Sequence, residues 1–145
     1  MFSSLNLKPY QVKLVGLKDQ LIDEDGKVTN HIPEKPLKLK KINNTKFEGQ
    51  GYMNAGVPFG DIDHFVLDLN KKSRVSMVLN MESSLDGVLK IFNSKGKLIK
   101  GFDQYGANDQ ELANVELEKG KYYIEVSEAF GKASTSPYKL TVTLK

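Results

Sequence analysis

The strongest constraint on the fold is a series of short segments in which apolar and polar residues alternate. In the segment 65–69 Phe, Leu and Leu alternate with Val and Asp, and residues 138–144 repeat the pattern with Tyr, Leu, Val and Leu. A period of two places successive side chains on opposite faces of a strand. No segment sustains the spacing of an amphipathic helix. The chain is therefore predicted to be all-β.

The spacing of these segments indicates the architecture. About eight of them follow residue 45, separated by turn residues roughly every 8 to 12 positions, which is typical of an antiparallel β-sandwich or jelly roll. The strands are predicted at residues 45–49, 62–69, 75–81, 89–91, 97–102, 112–117, 122–126 and 138–144.

The N-terminal part has a different composition. A strand is predicted at 8–15, and the proline- and lysine-rich stretch that follows reads as an extended connector with a short strand at 37–40. We predict an N-terminal strand and connector at 1–41 and a sandwich domain at 42–145. The order Lys-Pro-Tyr at 8–10 resembles Ser-Pro-Tyr at 136–138. Either two unrelated strands share a composition, or residues 1 to about 20 close a preceding copy of the domain.

Composition excludes several classes of protein. The 145 residues include no cysteine, which excludes disulfides, thiolate zinc sites and cysteine nucleophiles. No apolar run reaches the roughly 18 residues of a membrane span. The net charge is +3, and the densest basic run, 35–41, has no interleaved aromatic residues, so nucleic acid is not expected as a partner. Because the N-terminus lacks a signal peptide, an exported protein would contain this chain as a mature form or a fragment.

Two carboxylates at the start of the 62–69 strand form the main candidate site. Asp61 and Asp63 are two residues apart, so on a regular strand they point to the same side and could share a calcium ion, which prefers oxygen ligands. Glu34 in the connector is the predicted third ligand, and Asp23 or Asp25 could instead add charge. The alternative is that both aspartates cap turn geometry and stay solvated.

Histidine chemistry and catalysis are not expected. His64 is out of phase with the two aspartates and is expected to have no second histidine nearby, so a zinc site is not predicted. The acidic segment 23–27 lacks the regular ligand spacing of an EF-hand and reads as a turn. No serine stands in a nucleophile elbow. The chain is predicted not to be an enzyme.

Aromatic residues outside the core phase are the candidate ligand contacts. Tyr52 and Tyr105 lie in predicted loops, and Tyr123 alternates with the inward residues Tyr122 and Ile124. Exposed tyrosines would suit a collagen-like or glycan ligand, because the ring offers contact area and a polar tip. Tyr123 is the one predicted to be exposed.

Four segments follow one another from residue 45 onward, and the closing strand Tyr138-x-Leu140-x-Val142 comes after them. The four segments are Thr45-Lys46-Phe47-Glu48-Gly49, Asp61-x-Asp63-x-Phe65-x-Leu67, Leu89-x-Ile91-Phe92-Asn93-x-x-Gly96 and Leu117-x-x-Gly120-Lys121-Tyr122-Tyr123-Ile124-x-Val126. In this order they resemble the bacterial pre-peptidase C-terminal domain, to which the collagen-binding domains of clostridial collagenases are similar.

The resemblance implies a non-catalytic accessory domain of an exported bacterial protein, located outside the cell or on its surface. Such a domain binds an extracellular polymer or protein, collagen-like or of the cell wall, or acts in secretion or maturation. It accompanies a catalytic or repeat domain of the same parent protein. In the collagen-binding members calcium lies between an N-terminal linker and the Asp-x-Asp strand, so calcium is the candidate cofactor. The alternatives are a structural spacer without a ligand and a small enzyme.

Overall fold

The computed structural model describes residues 28–29, 31–55, 57, 60–104, 106–107 and 109–145. These residues form twelve strands and no helix, so none of them belongs to a helix that could cross a membrane. The predicted strand at 8–15 and the acidic turn at 23–27 lie outside the described residues. The strands are β1 (Val28–Thr29), β2 (Ile32–Pro33), β3 (Leu37–Lys38), β4 (Lys40–Lys41), β5 (Lys46–Gly51), β6 (Ile62–Leu69), β7 (Ser73–Asn80), β8 (Gly87–Asn93), β9 (Leu98–Phe102), β10 (Glu111–Leu117), β11 (Gly120–Glu128) and β12 (Tyr138–Leu144).

Ten of these strands form two five-stranded sheets. Sheet I has the order β10-β7-β12-β5-β4, and sheet II has the order β3-β6-β11-β8-β9. Every pairing between these strands is antiparallel except that of β3 with β6. The inner faces of both sheets supply one hydrophobic core. The predicted all-β sandwich is confirmed.

The eight longest strands coincide with the eight predicted after residue 45, and β6 has the predicted bounds. The predicted strand at 37–40 is instead two short strands on either side of Leu39, which packs partly against the core. β3 joins the edge of sheet II and β4 joins the edge of sheet I. The sheets therefore begin at residue 37, ahead of the predicted boundary at 42.

The alternation along β6 determines which side chains reach the core. Phe65, Leu67 and Leu69 are buried between the sheets, and burying a side chain of this size stabilises a fold by about 1.5–3 kcal/mol. The intervening residues, among them His64 and Val66, point to the outer face of sheet II. Consecutive residues at the start of this strand therefore meet different surroundings.

The two remaining strands form a hairpin ahead of the sandwich. Thr29 pairs with Ile32 and Val28 pairs with Pro33, and His31 lies in the turn between the two strands. The imidazole of His31 stacks on Phe92 of β8, with ring centroids 4.0 Å apart and an interplanar angle of 8°. The β1–β2 hairpin thus lies against the outer face of sheet II.

Candidate functional site

The start of β6 carries polar side chains into two separate buried clusters. Asp63 is fully buried on the inner side of the strand, and its neighbour His64 is only 1% exposed on the outer side. The inner cluster consists of Asn54, Asp61, Asp63 and Tyr138. The outer cluster consists of His31, His64 and Glu125.

Asp61 of the inner cluster closes the loop between β5 and β6. The backbone and side-chain amides of Asn54 both donate to Asp61 Oδ2 at 2.8 Å. The backbone N–H of Ile62 donates to Asp61 Oδ1 at 2.9 Å. Asp61 therefore caps the local turn, as the alternative in the sequence analysis predicted. It is buried, however, and not solvated as that alternative also predicted. Hydrogen bonds to its carboxylate offset the cost of that burial.

Asp63 of the inner cluster is held by the opposite sheet. The Tyr138 hydroxyl donates to Asp63 Oδ2 at 2.5 Å. Gly51, which pairs with Tyr138 across β5 and β12, leaves the space for this contact. A Cβ atom at position 51 would lie 2.5 Å from the Tyr138 hydroxyl oxygen and 3.0 Å from Asp63 Oδ2. Glycine is therefore required at position 51 by close approach.

The predicted calcium ligands are only partly brought together. Glu34 is exposed and precedes β3, whose parallel pairing with β6 places this residue at the same end of sheet II as Asp61. In the part of the chain that the structure describes, no group of three metal-competent side chains includes Glu34, Asp61 or Asp63. Their carboxylates are of the type that calcium prefers. Calcium binding remains a prediction.

The outer cluster brings together three side chains from separate elements. His64 and Glu125 are cross-strand partners on β6 and β11, with His64 Nε2 3.4 Å from Glu125 Oε1. His31 Nδ1, from the hairpin turn, is 3.4 Å from the same oxygen. Among the described residues, this is the one group of three metal-competent side chains whose donor atoms lie within 4.8 Å of one another. The expectation that His64 has no histidine near it is wrong, because the hairpin folds back onto sheet II.

The electrostatics of the outer cluster keep Glu125 ionised. Burial raises the pKa of this carboxyl, whereas hydrogen bonding and positive charge from His64 lower it. Lys90, its cross-strand partner on β8, and His31 act in the same direction, so the pKa of Glu125 lies below its ordinary value. The side chain is 3% exposed. Its negative charge is thus retained in a nearly buried position.

His31 is positioned by its backbone and by its ring. Its φ of 62° falls in the left-handed region, which non-glycine residues seldom adopt and in which histidine is enriched. The stacking on Phe92 fixes the plane of the imidazole. The side chain is 48% exposed, so the outer cluster is open to solvent on the side of the hairpin.

The aromatic residues predicted to contact a ligand differ in how far they are exposed. Tyr123 points to the outer face as predicted but is 7% exposed, so the expectation of an exposed ring is wrong. Its cross-strand partners are Val66 and Phe92, and the hairpin covers Phe92. Tyr52 is half-buried after β5, and Tyr105 lies outside the described residues. Phe130, between β11 and β12, is 76% exposed.

The outer face of sheet I is open and mostly polar. We call it the open face, and its exposed or half-exposed side chains are Lys46, Glu48 and Gln50 of β5, Arg74, Ser76, Val78 and Asn80 of β7, Leu112, Asn114 and Glu116 of β10, and Lys139, Thr141 and Thr143 of β12. Ser76 donates to the Asn114 side chain at 2.6 Å. Lys139 Nζ is 3.2 Å from Glu48, an exposed pair of the kind that contributes about 0–1 kcal/mol.

A groove opens at the end of the sandwich that holds the β6–β7 turn. Its volume is about 460 Å³. It is lined by polar and basic side chains around Phe47 and Leu144, among them Lys41, Asn44, Asp68, Lys71 and Lys145. The groove adjoins the open face at Lys145, whose backbone is hydrogen-bonded to that of Arg74.

No family model matches the sequence, and neither does any curated protein. Solved structures are similar in fold. The pre-peptidase C-terminal domain of collagenase from Bacillus anthracis superposes with a TM-score of 0.52 at 16% identity, over 74% of this chain and 92% of that one. The periplasmic inhibitor of g-type lysozyme PliG from Aeromonas hydrophila gives 0.48 at 16% identity, over 76% and 96%. The CBM35 of Abf62 from Cellvibrio japonicus gives 0.43 at 15% identity, over 66% and 75%.

The first of these similarities agrees with the resemblance seen in the sequence. At 16% identity it concerns the fold alone. The segments on which that resemblance rests lie on or beside β5, β6, β8, β11 and β12. The chain has the fold of a pre-peptidase C-terminal domain.

Proposed function

We propose that this chain is a non-catalytic accessory domain of an exported bacterial protein that binds an extracellular polymer, collagen-like or of the cell wall. In this proposal the domain acts outside the cell or on its surface. It serves a catalytic or repeat domain of the same parent protein by holding it near its substrate.

The observation that carries this proposal is the fold. The collagenase domain to which the chain is similar is itself an accessory module by its description as a pre-peptidase C-terminal domain, and 92% of it is covered. A fold alone does not define a function. The proposal therefore needs a surface on this chain that suits a long polymeric ligand.

The open face and the adjoining groove supply that surface. Polymers need an extended contact area with repeated polar contacts, and strands β7 and β12 present rows of amide, hydroxyl and cationic groups there. Arg74 and Lys139 are cations of this face, and Glu116 and Glu48 lie next to them, so the face offers charges of both signs to a ligand. The outer face of sheet II is less suited, since the hairpin contacts it at Phe92.

A co-sedimentation experiment tests the proposal. The chain is mixed in turn with insoluble collagen, peptidoglycan and an insoluble polysaccharide, and the bound fraction is measured. We expect retention by at least one polymer. In the double variant Arg74→Gln/Lys139→Gln we expect retention to fall, because two cationic contacts of the open face are removed.

The matched control is Lys95→Gln/Lys97→Gln, which removes the same charge from the exposed β8–β9 turn of sheet II. Retention of this variant should equal that of the wild type. An equal loss in both variants would indicate charge-driven adsorption and contradict the role of the open face. Failure of the wild type to bind any of the polymers would favour a structural spacer.

A further inference from the structure

We propose that His31, His64 and Glu125 form a binding site for a divalent transition metal of the zinc class. The donors are two imidazole nitrogens and one carboxylate oxygen, from the hairpin turn, β6 and β11. Zinc takes this combination of nitrogen and carboxylate ligands, whereas calcium and magnesium prefer oxygen alone.

The distances within the outer cluster support a shared ion over a simple ion pair. Both His31 Nδ1 and His64 Nε2 are 3.4 Å from Glu125 Oε1. Charge-assisted hydrogen bonds between such groups are about 2.7–2.9 Å long. Ligand atoms bound at about 2.0–2.2 Å to a tetrahedral zinc ion lie about 3.3–3.6 Å from one another. The two distances to the shared oxygen match that spacing, and the donor atoms of all three residues lie within 4.8 Å of one another.

The three ligands are held by rigid neighbours. His64 and Glu125 stand opposite each other on adjacent central strands of sheet II, so their relative position is fixed by the backbone hydrogen bonds of the sheet. The stack on Phe92 fixes the His31 ring, as supporting contacts do for many metal ligands. The site therefore requires little reorganisation on binding.

Access and charge also suit a cation. Exposure of nearly half of His31 leaves a route from solvent to the shared oxygen, and a water molecule can complete a four-coordinate ion. Glu125 provides a carboxylate ligand, whose negative charge complements an ion that also has two neutral imidazole ligands. Lys90 is the nearby cation, and because its side chain is exposed, its charge is screened by water.

A metal at this position would fasten the β1–β2 hairpin to the sandwich. Two ligands belong to sheet II and the third to the hairpin turn, so the ion would join them as a cross-link does. The segment that leads into the domain would then dock in a metal-dependent way. The site is independent of the polymer-binding proposal, since the open face lies on the other sheet.

The experiment is a calorimetric titration of the tag-free, chelator-treated chain with zinc chloride, repeated with cobalt(II) and monitored by visible absorption. We expect one zinc ion per chain and the intense cobalt spectrum of a four-coordinate site. Zinc should also raise the melting temperature, because a ligand of the native state stabilises it.

Variants at position 31 connect the binding to the outer cluster. His31→Phe keeps a ring to stack on Phe92 without a ligand nitrogen, and His31→Asn keeps a residue that tolerates the left-handed conformation. Each should bind zinc at least about ten-fold more weakly, since even the loss of a supporting contact costs about 10- to 100-fold. Their melting temperatures in chelator show that they are folded.

The control variant is Glu118→Gln, an exposed acid between β10 and β11 and outside the outer cluster, which should leave zinc binding unchanged. Millimolar calcium should not displace zinc. Absence of zinc binding by the wild type would overturn the proposal. Equal affinity in the wild type and both His31 variants would overturn it as well, because the ion would then lie elsewhere.

Discussion

The inner and outer clusters lie on opposite sides of β6, where Asp63 belongs to the inner cluster and the next residue, His64, belongs to the outer one. The two clusters differ in the groups that face their carboxylates. In the inner cluster, carboxylates accept hydrogen bonds of 2.5–2.9 Å from groups of the sandwich itself. In the outer cluster, one carboxylate oxygen faces two imidazoles at 3.4 Å, one of them from the hairpin. Burial of a polar group is therefore not enough to identify a site. The type, spacing and origin of its partners distinguish a structural cluster from a ligand-binding one.

The largest expected effect comes from filling the space at position 51. Gly51→Ala places a methyl group against the Tyr138 hydroxyl and Asp63, so it overpacks the inner cluster and displaces the hydrogen bond. We expect the free energy of unfolding to fall by about 3 kcal/mol in urea denaturation. Gly101→Ala is the control, because the nearest atom to its Cβ would be Lys90 Cγ at 3.6 Å. A similar loss in both variants would show that strand glycines, not the inner cluster, determine the result.

Removal of one hydroxyl group tests the inner cluster without overpacking. Tyr138→Phe should lower the free energy of unfolding by about 2 kcal/mol, because a buried carboxylate loses a charge-assisted donor. Tyr122→Phe is the control, since that hydroxyl donates to the uncharged backbone carbonyl of Glu118 and should cost about 0.5–1 kcal/mol. Zinc affinity should be unchanged in both variants. A loss of zinc binding in Tyr138→Phe would show that the two clusters are coupled.

Calcium binding would show that the inner cluster is also a ligand site, so it tests the difference drawn between the two clusters. If Asp61 and Asp63 bind calcium as predicted, stability rises by about 1.4 kcal/mol when calcium is tenfold above its dissociation constant. Thermal unfolding in calcium and in EDTA measures this difference, which Asp61→Asn should abolish and His31→Asn should preserve. Equal melting temperatures in calcium and EDTA would contradict the prediction and leave the inner cluster with a structural role.

Glu82, a carboxylate outside both clusters, is expected to have the smallest effect on the free energy of unfolding. It serves as the reference for exposed acids. The backbone N–H of Thr135 lowers the pKa of Glu82, burial opposes it, and Ser136 and the Thr135 hydroxyl lower it further. Because the pKa is depressed in the folded state, the stabilisation is present above the ordinary value of 4.5 and is lost as pH falls below it.

Glu82→Gln should therefore destabilise the protein by about 0.5–1 kcal/mol at pH 7. The difference from the wild type should vanish in urea denaturation at acidic pH, below the folded pKa of Glu82. A difference that persists unchanged to low pH would show that charge is not its cause.

The sequence predicted the sandwich well because the period-two signal is local. β6 and β12 have the bounds that alternation indicated. The same signal specifies the face of a residue but not what covers that face. Tyr123 was accordingly assigned to the correct side of the strand and to the wrong environment, since cover by the hairpin is a tertiary feature.

The candidate sites show the same limit. The spacing of Asp61 and Asp63 marked the start of β6, but their partners Asn54 and Tyr138 come from other parts of the chain. The outer cluster left a weaker signal. Glu125 stands between the apolar residues Ile124 and Val126 and shares the outward phase of Tyr123. Only the register of β6 with β11 and the fold of the hairpin bring the two histidines of the chain to one carboxylate.

Diffraction at the zinc absorption edge, from crystals of the chain grown with both zinc and calcium, tests the difference between the clusters most directly. The account predicts one anomalous peak, about 2.0–2.2 Å from His31 Nδ1, His64 Nε2 and Glu125 Oε1. A zinc peak at Asp61 and Asp63, or no peak beside Glu125, would contradict it.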